Sequence, residues 1–131
     1  MIEIKNAIRL IQNNKIDNVF YLKGEDQFLQ SFFIQKICEA IFIDQKVFKE
    51  LLTPNEISGK EILERILYTD LFNSKKLFIL RDPQQLKGRA SKDLLNYCNE
   101  PISNHFLVMI NDNFMDKSIF SKSEILKMNT V

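Results

Sequence analysis

The sequence predicts an α/β fold in which a mostly parallel sheet lies between two layers of helices. Short apolar runs alternate four times with longer segments of helical periodicity, and the runs at residues 77–80 and 106–110 are apolar at every position. Strands that are buried on both faces of a parallel sheet have such unbroken apolar runs. Alternation at this spacing indicates right-handed crossovers between parallel strands, with helices on both faces.

The composition is that of a soluble globular domain. The chain has 131 residues, of which 45% are apolar and 27% charged, as is ordinary for one domain of this size. Eighteen basic against 17 acidic residues leave a net charge of +1, too little for a strongly basic nucleic-acid surface. No apolar run approaches the roughly 20 residues of a membrane span. Cys38 and Cys98 lack metal-ligand spacing and are interpreted as reduced thiols of a cytoplasmic protein.

The first part of the chain is predicted to form a leading helix, a buried strand and a second helix. Residues 3–14 carry apolar side chains at helical spacing, and residues 19–22 form a short apolar run. Residues 27–43 again repeat apolar side chains in steps of three and four, so this helix should bury a wide face. Asp26 is its expected N-cap.

The middle of the chain is predicted to form a strand and a third helix. Residues 47–52 read as a second, less apolar strand. Two capping boxes follow it, beginning at Thr53 and at Ser58. Ser58 is preferred as the cap, because the first choice would put Gly59 inside the helix. The helix should run through Leu67 and end around residues 69–73.

The last part of the chain is predicted to continue the alternation. A strand at 77–80, a short helix at about 91–99, a strand at 106–110 and a helix at 116–127 follow one another. Residues 128–131 read as the opening of another strand. A chain that stops there suggests a fragment of something longer.

The strand, turn and helix of residues 19–29 have the form that binds phosphates in open α/β folds. A P-loop needs G-x-x-x-x-G-K-[ST]. Here Gly24 is followed by Glu25 and Asp26, with no second glycine and no Gly-Lys pair. These two carboxylates lie where phosphates would bind, and they would repel the phosphates. Neither a nucleotide nor another cofactor is therefore expected. Asp82 is the one candidate for a magnesium-binding aspartate after an apolar strand.

Catalytic and metal sites are not expected. His105 is the only histidine, so neither a histidine-based metal cluster nor a Ser-His-Asp triad can form, and His105 is interpreted as a strand-edge residue. Helix capping explains Glu25 and Asp26 more simply than an acid pair does. Four basic residues cluster in one loop and are interpreted as a solvated face, with a DNA or partner contact as the alternative: Arg81, Lys87, Arg89 and Lys92.

Leu71 and Phe72 resist a simple core explanation. They are adjacent, so a helix cannot bury both on one narrow face. One reading is a local plug over the core. The other is an exposed apolar anchor for a partner pocket, since protein interfaces concentrate their energy in a few such residues. The residues themselves leave both readings open.

These features together resemble the N-terminal domain of the delta subunit of bacterial DNA polymerase III, the clamp-opening member of the clamp loader. The first is the strand of residues 19–29 with its Gly-Glu-Asp turn. The second is Leu71-Phe72, a few residues before the strand at 76–81. The third runs from residue 94 to Pro101 and on to the strand at 106–110. The resemblance extends through essentially the whole chain.

The resemblance implies that residues 1–131 form a single AAA+-like domain that has lost its nucleotide site and is a fragment of a longer subunit. It implies that Leu71 and Phe72 insert into the apolar pocket of the ring-shaped sliding clamp, the beta subunit, with Leu67, Tyr68 and Thr69 beside them. Clamp-binding peptides resemble Gln-x-x-Leu-Phe, and Tyr68 stands here where Gln would be.

The implied function is to bind and open the clamp in DNA replication while partner subunits hydrolyse ATP. Such a domain is not an enzyme on its own, although the resemblance places it in the DNA-directed DNA polymerase III holoenzyme, a nucleotidyltransferase of the bacterial cytoplasm. It would reach DNA indirectly, and other loader subunits through domains that this chain lacks. The alternatives are a divergent AAA+ or P-loop-like ATPase domain and a flavodoxin-like or receiver-like scaffold.

Overall fold

The computed structural model describes residues 4–13, 16–24, 26–43, 46–72, 74–111 and 129–130. The helices in these ranges are α1 (Ile4–Gln12), α2 (Gln27–Ile41), α3 (Gly59–Leu67) and α4 (Arg89–Asn99). The strands are β1 (Val19–Lys23), β2 (Lys49–Leu52), β3 (Lys76–Arg81), β4 (His105–Asn111) and β5 (Asn129–Thr130), and a 3-10 turn, Pro83–Gln85, follows β3. Glu25 and the helix predicted at 116–127 lie outside the described residues.

The strands form one sheet in the order β2-β3-β4-β1-β5. Every described pair of neighbours is parallel, which confirms the predicted sheet. The pairing of β5 with β1 confirms the expected further strand. A flavodoxin-like or receiver-like sheet places β1 between β2 and β3. Here β1 lies between β4 and β5, so that alternative is wrong.

Helices cover both faces of the sheet, as the three-layer prediction requires. Side chains of α3 and α4 pack on one face: Ile62, Leu63, Ile66, Leu94 and Tyr97. Side chains of α1 and α2 pack on the other: Ile11, Phe33, Ile37 and Ile41. Successive residues of β3 alternate between these two clusters, with Phe78 and Leu80 in the first and Leu77 and Ile79 in the second. Both faces of β3 are therefore buried, which explains its unbroken apolar run.

Side-chain caps set the starts of the two helices for which caps were predicted. Asp26 Oδ1 accepts a hydrogen bond from the Leu29 N–H at 3.0 Å, and Ser58 Oγ accepts one from the Glu61 N–H at 3.1 Å. Both bonds satisfy first-turn donors that have no partner within the helix. The competing box at Thr53 instead forms a turn, in which the Thr53 carbonyl accepts from the backbone of residues 56 and 57.

The buried face of α2 is narrower than predicted. Phe33, Ile37 and Ile41 follow one another at four-residue steps and are buried, whereas Phe28 is 76% exposed. The Phe28 ring stacks on the ring of Phe32 with 6.4 Å between the centroids. These two residues lie one turn apart on another side of the helix, so they pack on each other and not on the sheet.

Gly59 allows α3 and α4 to approach closely. A Cβ atom at this position would lie 2.7 Å from the Ala90 Cβ and 3.1 Å from the Leu86 Cδ2. Both distances are shorter than an ordinary van der Waals contact between carbon atoms. The glycine is therefore required by packing between the helices.

The remaining general expectations concern the membrane and the thiols. Within the described ranges, no helix combines the length and apolar character needed to cross a membrane. Cys38 and Cys98 are free and half-buried, in agreement with the interpretation as reduced thiols. Burial raises the pKa of Cys98 to about 12, so this thiol is protonated at neutral pH.

Candidate functional site

The two predicted sites lie at opposite ends of the sheet. Because the strands are parallel, the residues that lead into β3 and β4 gather at one end, which we call the amino end. The residues that follow β1 and β3 gather at the other, the carboxyl end. The segment 68–75 connects α3 to β3 and lies at the amino end, whereas Gly24 follows β1 at the carboxyl end.

Helix α3 ends earlier than predicted. We expected it to reach residues 69–73, but its last residue is Leu67, and Tyr68 is extended with φ −69° and ψ 124°. The Nδ1 atom of His105 lies 2.7 Å from the Ile66 carbonyl oxygen. This contact satisfies one of the carbonyls left without a partner at the helix C-terminus. The Leu71-Phe72 pair therefore lies in a turn beyond the helix.

The side chains of this pair are exposed. Leu71 is 100% and Phe72 89% exposed, so the reading as a plug over the core is wrong. The other predicted residues of the site accompany them, since Leu67 and Tyr68 are 50% and 64% exposed and Thr69 is exposed as well. Neighbouring exposed apolar side chains of this size mark interaction surfaces.

Asp70 fixes the turn that carries the pair. Its Oδ1 atom accepts hydrogen bonds from the Phe72 N–H at 3.1 Å and the Ser74 N–H at 3.2 Å. An aspartate side chain that accepts from the backbone N–H two residues later forms an Asx turn. The bond from the Ser74 N–H is the largest effect on the pKa of the Asp70 carboxyl and lowers it. The backbone of the pair is thus held while its side chains remain in solvent.

Lys76 lies next to this turn and is buried. The residue is 7% exposed, and its Nζ atom lies 3.8 Å from the Asp70 Oδ2 atom. The same Nζ lies 4.9 Å from the ring centroid of Tyr68 and 5.3 Å from that of Phe48, both cation–π distances. One ammonium therefore links the turn, the end of α3 and the segment before β2. Sequence reasoning missed this role, although a lysine that opens an apolar strand is the signal of a buried, paired charge.

His105 is buried at the start of β4, the central strand of the sheet, so its reading as a residue of an edge strand is wrong. It opens β4, which lies between β3 and β1, and is 2% exposed. A carbonyl oxygen only accepts hydrogen bonds, so the Nδ1–H of His105 donates to Ile66. Burial is the largest effect on the pKa of His105 and lowers it, Lys76 adds to that effect, and the Ile66 carbonyl and Asp70 oppose it.

At the carboxyl end, a connection of only three residues, 24–26, joins β1 to α2. Gly24 has φ 138°, a conformation that side-chain-bearing residues rarely adopt. Its N–H donates to the Asn111 carbonyl at 3.1 Å, and its carbonyl accepts from the Gln30 Nε2 atom at 2.8 Å. The turn is therefore tied to β4 on one side and to α2 on the other.

The other candidate residues at the carboxyl end have contacts or exposure that need no ligand to explain them. Asp82 follows β3 in a left-handed conformation, φ 56°, and its Oδ1 atom accepts from the Gln84 Nε2 atom at 3.2 Å. The four basic residues at the end of β3 and beyond it are all exposed, as expected for a solvated face: Arg81, Lys87, Arg89 and Lys92.

Comparison with known proteins gives matches among solved structures. No protein-family profile matches the chain, and no curated protein matches its sequence. The Bacillus subtilis DNA clamp loader delta protein superposes with a TM-score of 0.76 at 14% identity, over 98% of this chain and 42% of that chain. A DNA polymerase III gamma subunit-related protein from Thermotoga maritima gives 0.61 at 14% identity, over 99% of this chain and 45% of that chain. The P-loop NTPase domain of the sigma-54 transport activator from E. coli gives 0.57 at 11% identity, over 98% and 95% of the two chains.

These similarities concern the fold, because the identities are low. The chain spans less than half the length of the delta protein and of the gamma subunit-related protein, and nearly the whole of the P-loop NTPase domain. The parallel sheet with helices on both faces lies within the superposed region, because each match covers at least 98% of this chain. The chain therefore shares its α/β fold with these solved structures.

Proposed function

We propose that this chain is a clamp-binding domain of a clamp-loader delta subunit, which holds or opens the sliding clamp through Leu71 and Phe72 and does not hydrolyse nucleotide. The observation that carries the proposal is the exposure of these two side chains, 100% and 89%, on a turn whose backbone is fixed by Asp70. The fold shared with the Bacillus subtilis DNA clamp loader delta protein supports the same assignment.

The energetics of the pair favour a partner contact. Two adjacent large apolar side chains in water gain on the order of 1.5–3 kcal/mol each when they are buried in a pocket. Because the Asp70 bonds already hold the turn, little conformational freedom is lost when a partner binds. A preformed turn with an apolar tip is therefore suited to insertion into a hydrophobic pocket of another protein.

The geometry at the carboxyl end supports the absence of nucleotide hydrolysis. A P-loop surrounds phosphates with the backbone N–H groups of an eight-residue motif, whereas here three residues connect β1 to α2. The Leu29 N–H in the first turn of α2 is occupied by the Asp26 carboxylate, which also places negative charge where a phosphate would bind. A divergent ATPase would have to bind the phosphates with residues other than this turn.

The role in the cell follows from this assignment. The domain takes part in DNA replication as a non-catalytic component of the polymerase III assembly in the bacterial cytoplasm. Its direct partner is the sliding clamp. Other loader subunits and DNA are reached only through the assembly.

Calorimetric titration against the sliding clamp of the same organism tests the proposal. We expect Leu71→Ala combined with Phe72→Ala to lower the affinity by roughly 30-fold or more, because truncated anchors typically cost at least about 2 kcal/mol. The matched control is Phe28→Ala combined with Leu51→Ala, two side chains that are 76% and 67% exposed elsewhere on the surface. The control should bind as the unmutated chain does. Equal affinity of the anchor variant and the unmutated chain would overturn the proposal.

A further inference from the structure

A groove of about 610 Å³ opens beside the Leu71-Phe72 turn. Its apolar lining residues are Val47, Phe48 and Phe72. Phe48 is anchored to the core, since its ring meets that of Phe78 edge-on with 6.3 Å between the centroids. The groove is therefore fixed to the core at Phe48 and is continuous with the proposed clamp contact through Phe72.

The charged residues of this groove are mostly basic. Lys46, Lys75 and Lys76 line it, and Asp70 is the one acidic residue among the described lining residues. The Asp70 carboxylate is already used by the N–H groups of Phe72 and Ser74 and by Lys76. Among the described lining residues, no carboxylate is therefore left to pair with the other lysines, although the whole chain carries a net charge of only +1.

Two of the three lysines are available to a ligand. Lys76 is not, because it is 7% exposed and its ammonium lies against Asp70 and two aromatic rings. Lys46 is exposed and Lys75 half-buried, and neither forms an ion pair with another described residue. They lie in segments that β2 and β3 bring together, because the Leu77 N–H donates to the Phe48 carbonyl at 3.0 Å.

We propose that this groove binds an acidic segment of the sliding clamp that flanks the clamp's apolar pocket, with Lys46 and Lys75 pairing with its carboxylates. The inference rests on the proposed function. It adds ion pairs to the apolar contact of Leu71 and Phe72. A protein segment fits better than a nucleic acid. Backbone binding to DNA relies on many lysines and arginines that follow the phosphates, whereas this groove offers two available lysines between aromatic and aliphatic walls.

Charges at the rim of an interface act chiefly on the association rate and its dependence on salt. We therefore expect Lys46→Gln combined with Lys75→Gln to weaken clamp binding on the order of fivefold at about 0.01 M salt, mainly through a slower association rate. The difference from the unmutated chain should shrink at about 0.15 M salt, where the Debye length falls to roughly 8 Å. Lys46→Glu combined with Lys75→Glu should weaken binding further.

Surface plasmon resonance of the 131-residue chain on immobilised clamp measures these rates, with Lys87→Gln combined with Lys92→Gln as the control. These two lysines are exposed outside the groove, and their removal makes the same change in net charge. A loss confined to the Lys46 and Lys75 variants supports the inference. An equal loss in the control would overturn it, because only net charge would then matter.

Three further results decide between this inference and the proposed function. If the Leu71→Ala, Phe72→Ala variant loses binding while the Lys46 and Lys75 variants bind as the unmutated chain does, the inference of ion pairs is wrong and the anchor remains. If the lysine variants lose affinity only for a single-stranded oligonucleotide, the groove is a nucleic-acid site and the inference is overturned. If the unmutated chain does not bind the clamp, both proposals are wrong.

Discussion

At the scale of single residues, Asp70 and Lys76 account for the shape of the proposed clamp contact. Lys76 is an almost fully buried cation whose nearest described carboxylate is that of Asp70, at 3.8 Å. A buried charge is tolerated only when it is paired or otherwise solvated by the protein. The rings of Tyr68 and Phe48 complete that environment. The same carboxylate closes the Leu71-Phe72 turn, so one side chain joins the turn to the body of the domain.

Replacement of Asp70 tests its two roles, as the acceptor that holds the turn and as the partner of Lys76. In Asp70→Ala, the N–H groups of Phe72 and Ser74 lose their acceptor and Lys76 loses its carboxylate. At about 1 kcal/mol for each of the two lost hydrogen bonds, clamp binding should weaken on the order of 30-fold because the turn is no longer preorganised. Asp70→Asn keeps an oxygen acceptor for the turn and should bind more tightly than the alanine variant. Calorimetry against the clamp measures both affinities, and equal binding by Asp70→Ala and the unmutated chain would contradict this role.

His105 should make the stability of the fold depend on pH. Burial lowers its pKa in the folded state below the usual value of about 6.5 for an unfolded chain. Between these two pKa values the unfolded state binds more protons, so the free energy of unfolding decreases as the pH falls below about 6.5. The slope cannot exceed about 1.4 kcal/mol per pH unit for one proton. Urea denaturation at a series of pH values measures this slope.

The control for this prediction is His105→Asn. Its amide donates from nearly the same position as Nδ1 and does not titrate between pH 5 and 7. Since the chain has one histidine, the decrease in stability just below pH 6.5 should disappear in the variant. An unchanged pH profile would show that another group is responsible.

At the scale of elements, the sequence predicted the strands and helix starts that depend on interactions between residues close together in the chain. The strands β3 and β4 and the caps at Asp26 and Ser58 lie where the sequence placed them, because unbroken apolar runs and capping side chains act within a few residues. The end of α3 was misjudged, because it is fixed by a hydrogen bond from His105 to Ile66, 39 residues apart in the chain. The exposure of Phe28 on α2 was also missed, since periodicity alone does not distinguish an exposed aromatic ring from a core contact.

The contact between α3 and α4 should not tolerate a side chain at position 59. Gly59→Ala would place its Cβ atom 2.7 Å from that of Ala90, and overpacking of this kind costs about 1–3 kcal/mol. Alanine's greater helix propensity, at most about 1 kcal/mol, offsets only part of this. Urea denaturation should therefore show a net loss of stability.

The neighbouring exposed residue provides the control. Lys60→Ala should change the free energy of unfolding by no more than about 0.5 kcal/mol. A Gly59→Ala variant as stable as the unmutated chain would mean that the helices separate at little cost.

At the scale of the whole molecule, the strand order decides which residues can act together. The sequence identified Leu71, Phe72 and their neighbours as a candidate site, and it left open whether they were buried. It did not reveal that Val47 and Phe48 line a groove with Phe72. Those residues precede β2, and the parallel pairing of β2 with β3 brings them to the turn. Such a juxtaposition depends on tertiary structure, and no motif in the chain encodes it.

The short turn at the carboxyl end predicts that the domain does not respond to nucleotide. A ligand at a hundredfold excess over its dissociation constant stabilises a protein by about 2.7 kcal/mol. For a domain of this size, that would raise the melting temperature by about 10 °C. We expect ATP with Mg²⁺ to leave the melting temperature unchanged in a thermal-shift experiment. A rise that increases with ATP concentration would favour the divergent ATPase instead.

Hydrogen–deuterium exchange of the chain with and without the sliding clamp tests most directly whether the partner binds at the amino end of the sheet. The proposed function predicts that the clamp slows amide exchange in residues 68–76, where the Leu71-Phe72 turn meets β3. It also predicts no change in residues 22–30, around the turn at the carboxyl end. Slower exchange confined to residues 22–30, or no slowing anywhere in the chain under conditions of saturation, would contradict the account.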